Sequence, residues 1–119
     1  MVSGPTNPNT RALMNALRKT SIKHDVRIWK RVAELIERPA RKRPRVNVGK
    51  IGRHTKSGDI VVIPGKVLGS GNLPHSVTVA AMNASTSARS VIVNAGGSLI
   101  SIEELLDKVP KGTGVTILI

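Results

Sequence analysis

The sequence predicts an α/β protein: an irregular strand-strand-helix domain with short mixed strands, preceded by an N-terminal helical hairpin and a basic linker. Three observations carry this expectation. Apolar residues recur at helical spacing over roughly residues 10–37. Two prolines, Pro39 and Pro44, bracket a cationic run. From residue 46 onward, short β-branched runs alternate with turn-rich and helix-period segments, with no exact internal repeat. The 119 residues are therefore divided into a basic N-terminal hairpin and linker, 1–45, and a compact α/β domain, 46–119.

The elements follow in order. Asn7-Pro8-Asn9-Thr10 offers short polar side chains that cap free helix amides. The segment from Thr10 to about His24 then places Leu13, Met14 and Leu17 on one face and Arg11, Arg18, Lys19 and Lys23 on the other. Asp25 is positioned to cap or begin a second helix running to about Glu37 and stopped by Pro39. Ile28, Trp29, Val32, Leu35 and Ile36 form its single apolar stripe, and the short connection predicts an αα-hairpin. That stripe reads Trp29, the only aromatic, as core rather than as a base-stacking platform. Pro39 to Arg45 cannot be regular helix and reads as an extended cationic linker.

Val46-Asn47-Val48 alternates like the start of a strand, and Gly49 to Gly58 reads as a glycine-punctuated basic loop. Asp59 to Ile63 is a short buried strand ended by the turn dipeptide Pro64-Gly65, with a further loop from Lys66 to Pro74. Val77 to Met82 is another strand. Ser85 caps a segment with Ala88, Val91, Ile92 and Ala95 at helical spacing, ended by Gly96. The β propensity of Val91-Ile92-Val93 pulls the other way, but the spacing favours helix. Ser98 to Ser101 is a short strand, Ser101 with Glu104 makes a capping box for a helix through Lys108, and Val115 to Ile119 is the final strand.

Charge points to function. Residues 1–66 hold 16 of the 19 Lys/Arg and four of the seven Asp/Glu, a net charge of +12, while residues 67–119 are neutral. Arg38, Arg41, Lys42, Arg43, Arg45, Lys50, Arg53 and Lys56 succeed one another with no acidic residue between them. So one-sided a field favours a polyanion, and the abundant cellular polyanion is nucleic acid. With no Phe or Tyr, base stacking on aromatics is unavailable, so phosphates, 2′-hydroxyls and RNA shape are the expected targets. If all eight of those cations met phosphates, log affinity against log salt would slope at about −6 to −7. Replacing Arg43 and Arg45 by Ala is expected to weaken binding without lowering stability.

Other classes find little support. Cysteine is absent, which removes thiol nucleophiles and Cys-based zinc sites and fits a reducing, intracellular setting. His24, His54 and His75 lack metal-ligand spacing, and no G-x-S-x-G elbow occurs. Gly65-Lys66-Val67-Leu68-Gly69-Ser70-Gly71 does not have P-loop order; it is either plain turn geometry or a place where amides and Lys66 receive a phosphate. The opening Met1 to Pro5 has no apolar signal core, and the longest uncharged stretch is too broken to span a bilayer. No catalytic residues, metal, cofactor, membrane contact or small-molecule substrate are expected.

The stretch Pro39 to Ile51, with Arg41-Lys42-Arg43-Pro44-Arg45-Val46-Asn47-Val48-Gly49-Lys50 inside it, resembles the signature of the archaeal and eukaryotic large-subunit ribosomal protein "L eighteen e" family. Gly58 to Gly71 and Val77 to Gly97 continue the resemblance, and the latter is also similar to the bacterial large-subunit protein "L fifteen". Thr6-Asn7-Pro8 and the Ile28-Trp29 helix fit as well. The resemblance departs at Ala40, where a basic residue is expected in many members, and at Ile36, where Leu is common. It implies a cytoplasmic, non-catalytic component of the large ribosomal subunit, whose partners are its RNA and neighbouring ribosomal proteins. RNA-contacting character carries over onto Arg41, Lys42, Arg43, Arg45, Lys50, Arg53, His54, Lys56 and Lys66, to which charge adds Arg11, Arg18, Lys19, Lys23 and Arg38. A free-standing architectural nucleic-acid-binding protein is the alternative.

Overall fold

The computed structural model describes residues 8–119; Met1 to Asn7, including Asn7 of the anticipated helix start and Thr6-Asn7 of the family resemblance, lie outside the described residues. Helices α1 (Pro8–His24) and α2 (Ile28–Ile36) are followed by strand β1 (Arg45–Asn47), helix α3 (Val48–His54) and strands β2 (Ile60–Leu68) and β3 (Thr78–Ala84). Then come α4 (Thr86–Asn94), β4 (Ser98–Ser101), α5 (Ile102–Lys108) and β5 (Val115–Ile117).

The nine-residue β2 organises the sheet. Along one edge it pairs with β3; along the other, β5 pairs with Ile60 to Val62 and β1 with Lys66 to Leu68, so β1 and β5 lie end to end. β4 closes the far side against β3. All four pairings are parallel, a uniform direction made feasible by the crossovers through α3, α4 and α5.

Both faces of this sheet are covered, which explains apolar runs where a half-exposed strand would alternate. On one face, Val61, Ile63, Val67 and Val79 pack with Val48 and Ile51 of α3 and Ala88 and Ile92 of α4. On the other, Val62 and Ala80 pack with Leu13, Met14 and Leu17 of α1, Trp29, Val32 and Ile36 of α2, and Ile102 and Leu105 of α5. The helical hairpin is thus one wall of the sheet's own core. Trp29 is fully buried and its indole Nε1–H donates to the Pro110 carbonyl at 2.7 Å.

Four local expectations are corrected. Asp25 is not the cap of α2: it adopts a left-handed φ of 52° in the turn, Arg27 holds the N-cap position, and α2 starts after it. The linker is not extended throughout, because Ala40–Lys42 form a 3-10 turn after Pro39, where proline's fixed φ is tolerated. The basic loop 49–58 is helical to His54, because Val48 and Ile51 bury together while Gly49 and Gly52 let the helix press against residues 70–74. The approach is closest at Gly71 (φ 98°), where a Cβ would sit 2.6 Å from the Gly49 Cα.

Finally, Pro64-Gly65 does not end β2. The register passes from Ile63↔Ala81 to Lys66↔Asn83, one extra residue on β2, so the dipeptide occupies a bulge inside the strand. A bulge is where a strand tolerates proline's missing donor.

The caps agree with the sequence reading. Ser85 Oγ accepts from Ala88 N–H and Ser101 Oγ from Glu104 N–H, both at 3.1 Å, and Gly96 takes a left-handed φ of 81° after α4.

Candidate nucleic-acid interface

The segment after α2 is fastened by backbone-directed bonds. Lys42 N–H donates to the Pro39 carbonyl at 2.8 Å, and Arg43 Nε–H reaches back to the Ile36 carbonyl at 2.9 Å, occupying an acceptor that the end of α2 leaves open. Lys66 N–H donates to the Pro44 carbonyl at 3.0 Å. That contact requires glycine next door: a Cβ on Gly65 would lie 1.9 Å from the same oxygen. β1 then sets Arg45 in register with Lys66, and β3 sets Asn83 beside Lys66.

The result is a surface cleft of about 280 Å³ lined by Arg41, Arg43, Arg45, Lys66, Met82 and Asn83, together with Ala40, Pro44 and Gly65. Four cations converge on it with no carboxylate in the lining. Among the described residues, the ion pairs to Asp or Glu are Arg18–Glu37 at 3.3 Å and Arg31–Glu34 at 3.6 Å, and neither uses a cation of the cleft. Burial pushes the Arg43 guanidinium below its ordinary pKa by disfavouring the charged form. Arginine nonetheless stays protonated at neutral pH. A partly desolvated cation without a counter-charge is stabilised by an incoming anion.

The other anticipated RNA-contacting residues are spread over both layers. Arg11, Lys19 and Lys23 are exposed on α1, while Arg18 is partly exposed and tied to Glu37. Arg38 precedes the cleft segment and Lys42 lies within it between Arg41 and Arg43; both are exposed. On the opposite face of the sheet, α3 carries Arg53 and His54 exposed in its last turn, Lys50 donates to the Ile119 carbonyl oxygen, and Lys56 follows, exposed. The structure therefore brings Arg41, Arg43, Arg45 and Lys66 together and places the Lys50–Lys56 group elsewhere.

Sequence reasoning missed Asn83. It stands near the end of β3 in an uncharged run, and only the strand register, which no local pattern encodes, brings it beside Lys66. Arg89 was missed too; it lines an adjoining cleft with Asn83, Ser101 and Glu104.

Fold and cleft together define a small, strongly basic α/β protein with a cation-lined surface recess. The family model described as "Ribosomal protein 60S L18 and 50S L18e" matches residues 6–119. A Large ribosomal subunit protein eL18 from Methanococcus maripaludis is 49% identical over 113 residues, 95% of this chain and 94% of the relative. Proteins of the same name from Pyrobaculum aerophilum and Archaeoglobus fulgidus are each 45% identical, over 98% and 96% of this chain and 96% and 97% of their own lengths. The chain belongs to this family of large-subunit ribosomal proteins. These relatives are named as ribosomal proteins, not as enzymes.

Proposed function

We propose that this member of a cytoplasmic large-subunit ribosomal protein family binds and stabilises folded ribosomal RNA through its basic N-terminal half. The cleft of Arg41, Arg43, Arg45 and Lys66 seats the sugar-phosphate backbone, and neighbouring ribosomal proteins are its other partners. One observation carries the reading: four cations from the segment after α2, from β1 and from β2 converge on a recess that has no carboxylate in its lining, and one of them is held partly desolvated. Such convergence costs repulsion in the free protein and is repaid when phosphates enter. The backbone bonds that hold Arg43, Pro44 and Lys66 favour a cleft already shaped before RNA arrives.

The test replaces Arg41, Arg45 and Lys66 together by Gln. Among the described residues no hydrogen bond or ion pair ties their side chains to the fold, so thermal stability should hold while rRNA affinity falls. The slope of log affinity on log salt should become shallower by about 2, three phosphate contacts at about 0.7 each. Unchanged affinity and slope in a folded variant would show that the cleft faces no RNA.

A further inference from the structure

Resting on the RNA-binding reading, we infer that Asn83 is a specificity-determining residue that donates to the ribose 2′-hydroxyl and so distinguishes RNA from other polyanions at the cleft. Three observations lead there. Asn83 is the neutral side-chain amide among the cations of the cleft, and it also lines the adjoining recess that contains Arg89. It stands in register with Lys66, which is itself in register with Arg45, so the three occupy one row across β3, β2 and β1. Its amide is oriented: Ala84 N–H donates to Asn83 Oδ1 at 2.8 Å, and among the described residues no partner takes the Nδ2 hydrogens, which are the group offered to a ligand.

The chemistry of the row is thereby divided. Arg45 and Lys66 are charged donors suited to phosphate oxygens, and phosphate is common to RNA and DNA. Asn83 adds two neutral donors one strand away, about 4.8 Å across a sheet. A neutral donor gains little from competing with Lys or Arg for a phosphate, since charge-assisted bonds are the stronger ones. It suits an uncharged acceptor lying next to a phosphate, and in a ribonucleotide that acceptor is the 2′-oxygen. The 2′-hydroxyl is also the group by which proteins tell RNA from DNA. Because Asn83 is exposed at the end of a strand, removing its amide should leave the fold in place.

The test compares two RNA duplexes of one sequence, the second with 2′-fluoro in place of every 2′-hydroxyl, so that A-form shape is kept and the hydroxyl is lost. The wild-type chain should prefer the hydroxyl duplex by about five- to tenfold, the worth of one hydrogen bond. Asn83→Ala should bind both duplexes alike, with the salt slope of the wild type, because no phosphate contact is lost. Asn83→Gln, which keeps the amide but moves it, should recover part of the preference. A preference that survives in Asn83→Ala, or a wild type that binds both duplexes equally, overturns the inference while leaving phosphate binding standing. A wild-type chain with no salt-dependent affinity for either duplex overturns the RNA-binding reading and this inference with it.

Discussion

Trp29 and Arg43 behave as their neighbours dictate rather than as their types suggest. Trp29 lies at zero exposure between the hairpin and the sheet, with its one polar atom bonded to Pro110, 81 residues away. Trp29→Ala should therefore cost about 3–5 kcal/mol in denaturant unfolding. Its RNA affinity, measured where the variant is still folded, should match wild type; a stable variant that loses affinity would make the indole a base platform. Sequence alone treats Arg43 and Arg45 as equivalent. The structure separates them, because Arg43 Nε–H holds the Ile36 carbonyl whereas Arg45 is exposed on an edge strand. Arg43→Ala should lower stability by about 1 kcal/mol, while Arg45→Ala should change it by less than about 0.5 kcal/mol. Both should weaken RNA binding, and equal melting curves for the two would show that the Ile36 contact contributes nothing. The apolar stripe around Trp29 is legible as a 3.6-residue period; the acceptors Pro110 and Ile36 are not, since a carbonyl leaves no mark in a side-chain pattern.

The same contrast between local and remote determinants separates the elements. α4 and α5 are legible because their starts are encoded within four residues, Ser85 with Ala88 and Ser101 with Glu104. Ser85→Ala should accordingly cost about 1 kcal/mol, read as a shift in unfolding midpoint. β2 and α3 were misread at Pro64-Gly65 and at Gly49 to His54, because each depends on what presses against it. β2 continues past Pro64 because β3 accommodates a bulge there and β1 pairs beyond it. α3 forms because Val48 and Ile51 share the core with Val61 and Ile63, and its glycines fit against the 70–74 segment. Glycine in a basic run signals a loop by composition and close packing by context. Gly65 ties element to site: Gly65→Ala must push the Pro44 carbonyl aside, cost about 1–3 kcal/mol in strain, and free β1 from β2. Amide exchange at Lys66 should rise, and RNA affinity should fall although no cation is removed. An unchanged exchange rate at Lys66 would show that β1 yields without detaching.

Across the whole molecule, the +12 of residues 1–66 predicts a polyanion partner but is silent on how many cations can act together. Eight successive basic residues set an upper bound of about −6 to −7 for the salt slope. The fold distributes them differently. Arg41, Arg43 and Arg45 join Lys66 at the cleft, whereas Lys50, Arg53 and Lys56 travel with α3, which packs on one face of the sheet, and Arg11, Lys19 and Lys23 travel with α1 on the other. Charges on opposite faces of a sheet cannot all touch one straight helical segment of RNA. They can all be satisfied by RNA that folds around the protein, which is how one small chain would hold separate rRNA helices together. Two slopes should follow. A short isolated RNA duplex should give about −3 to −4, the value for the four cleft cations. A folded rRNA domain that offers several helices should give about −5 or steeper, as the α3 cations engage too. Charge neutralisation of Arg53 and Lys56 should then flatten the second slope and leave the first unchanged. Equal slopes on both RNAs would mean that only one face of the protein is ever covered.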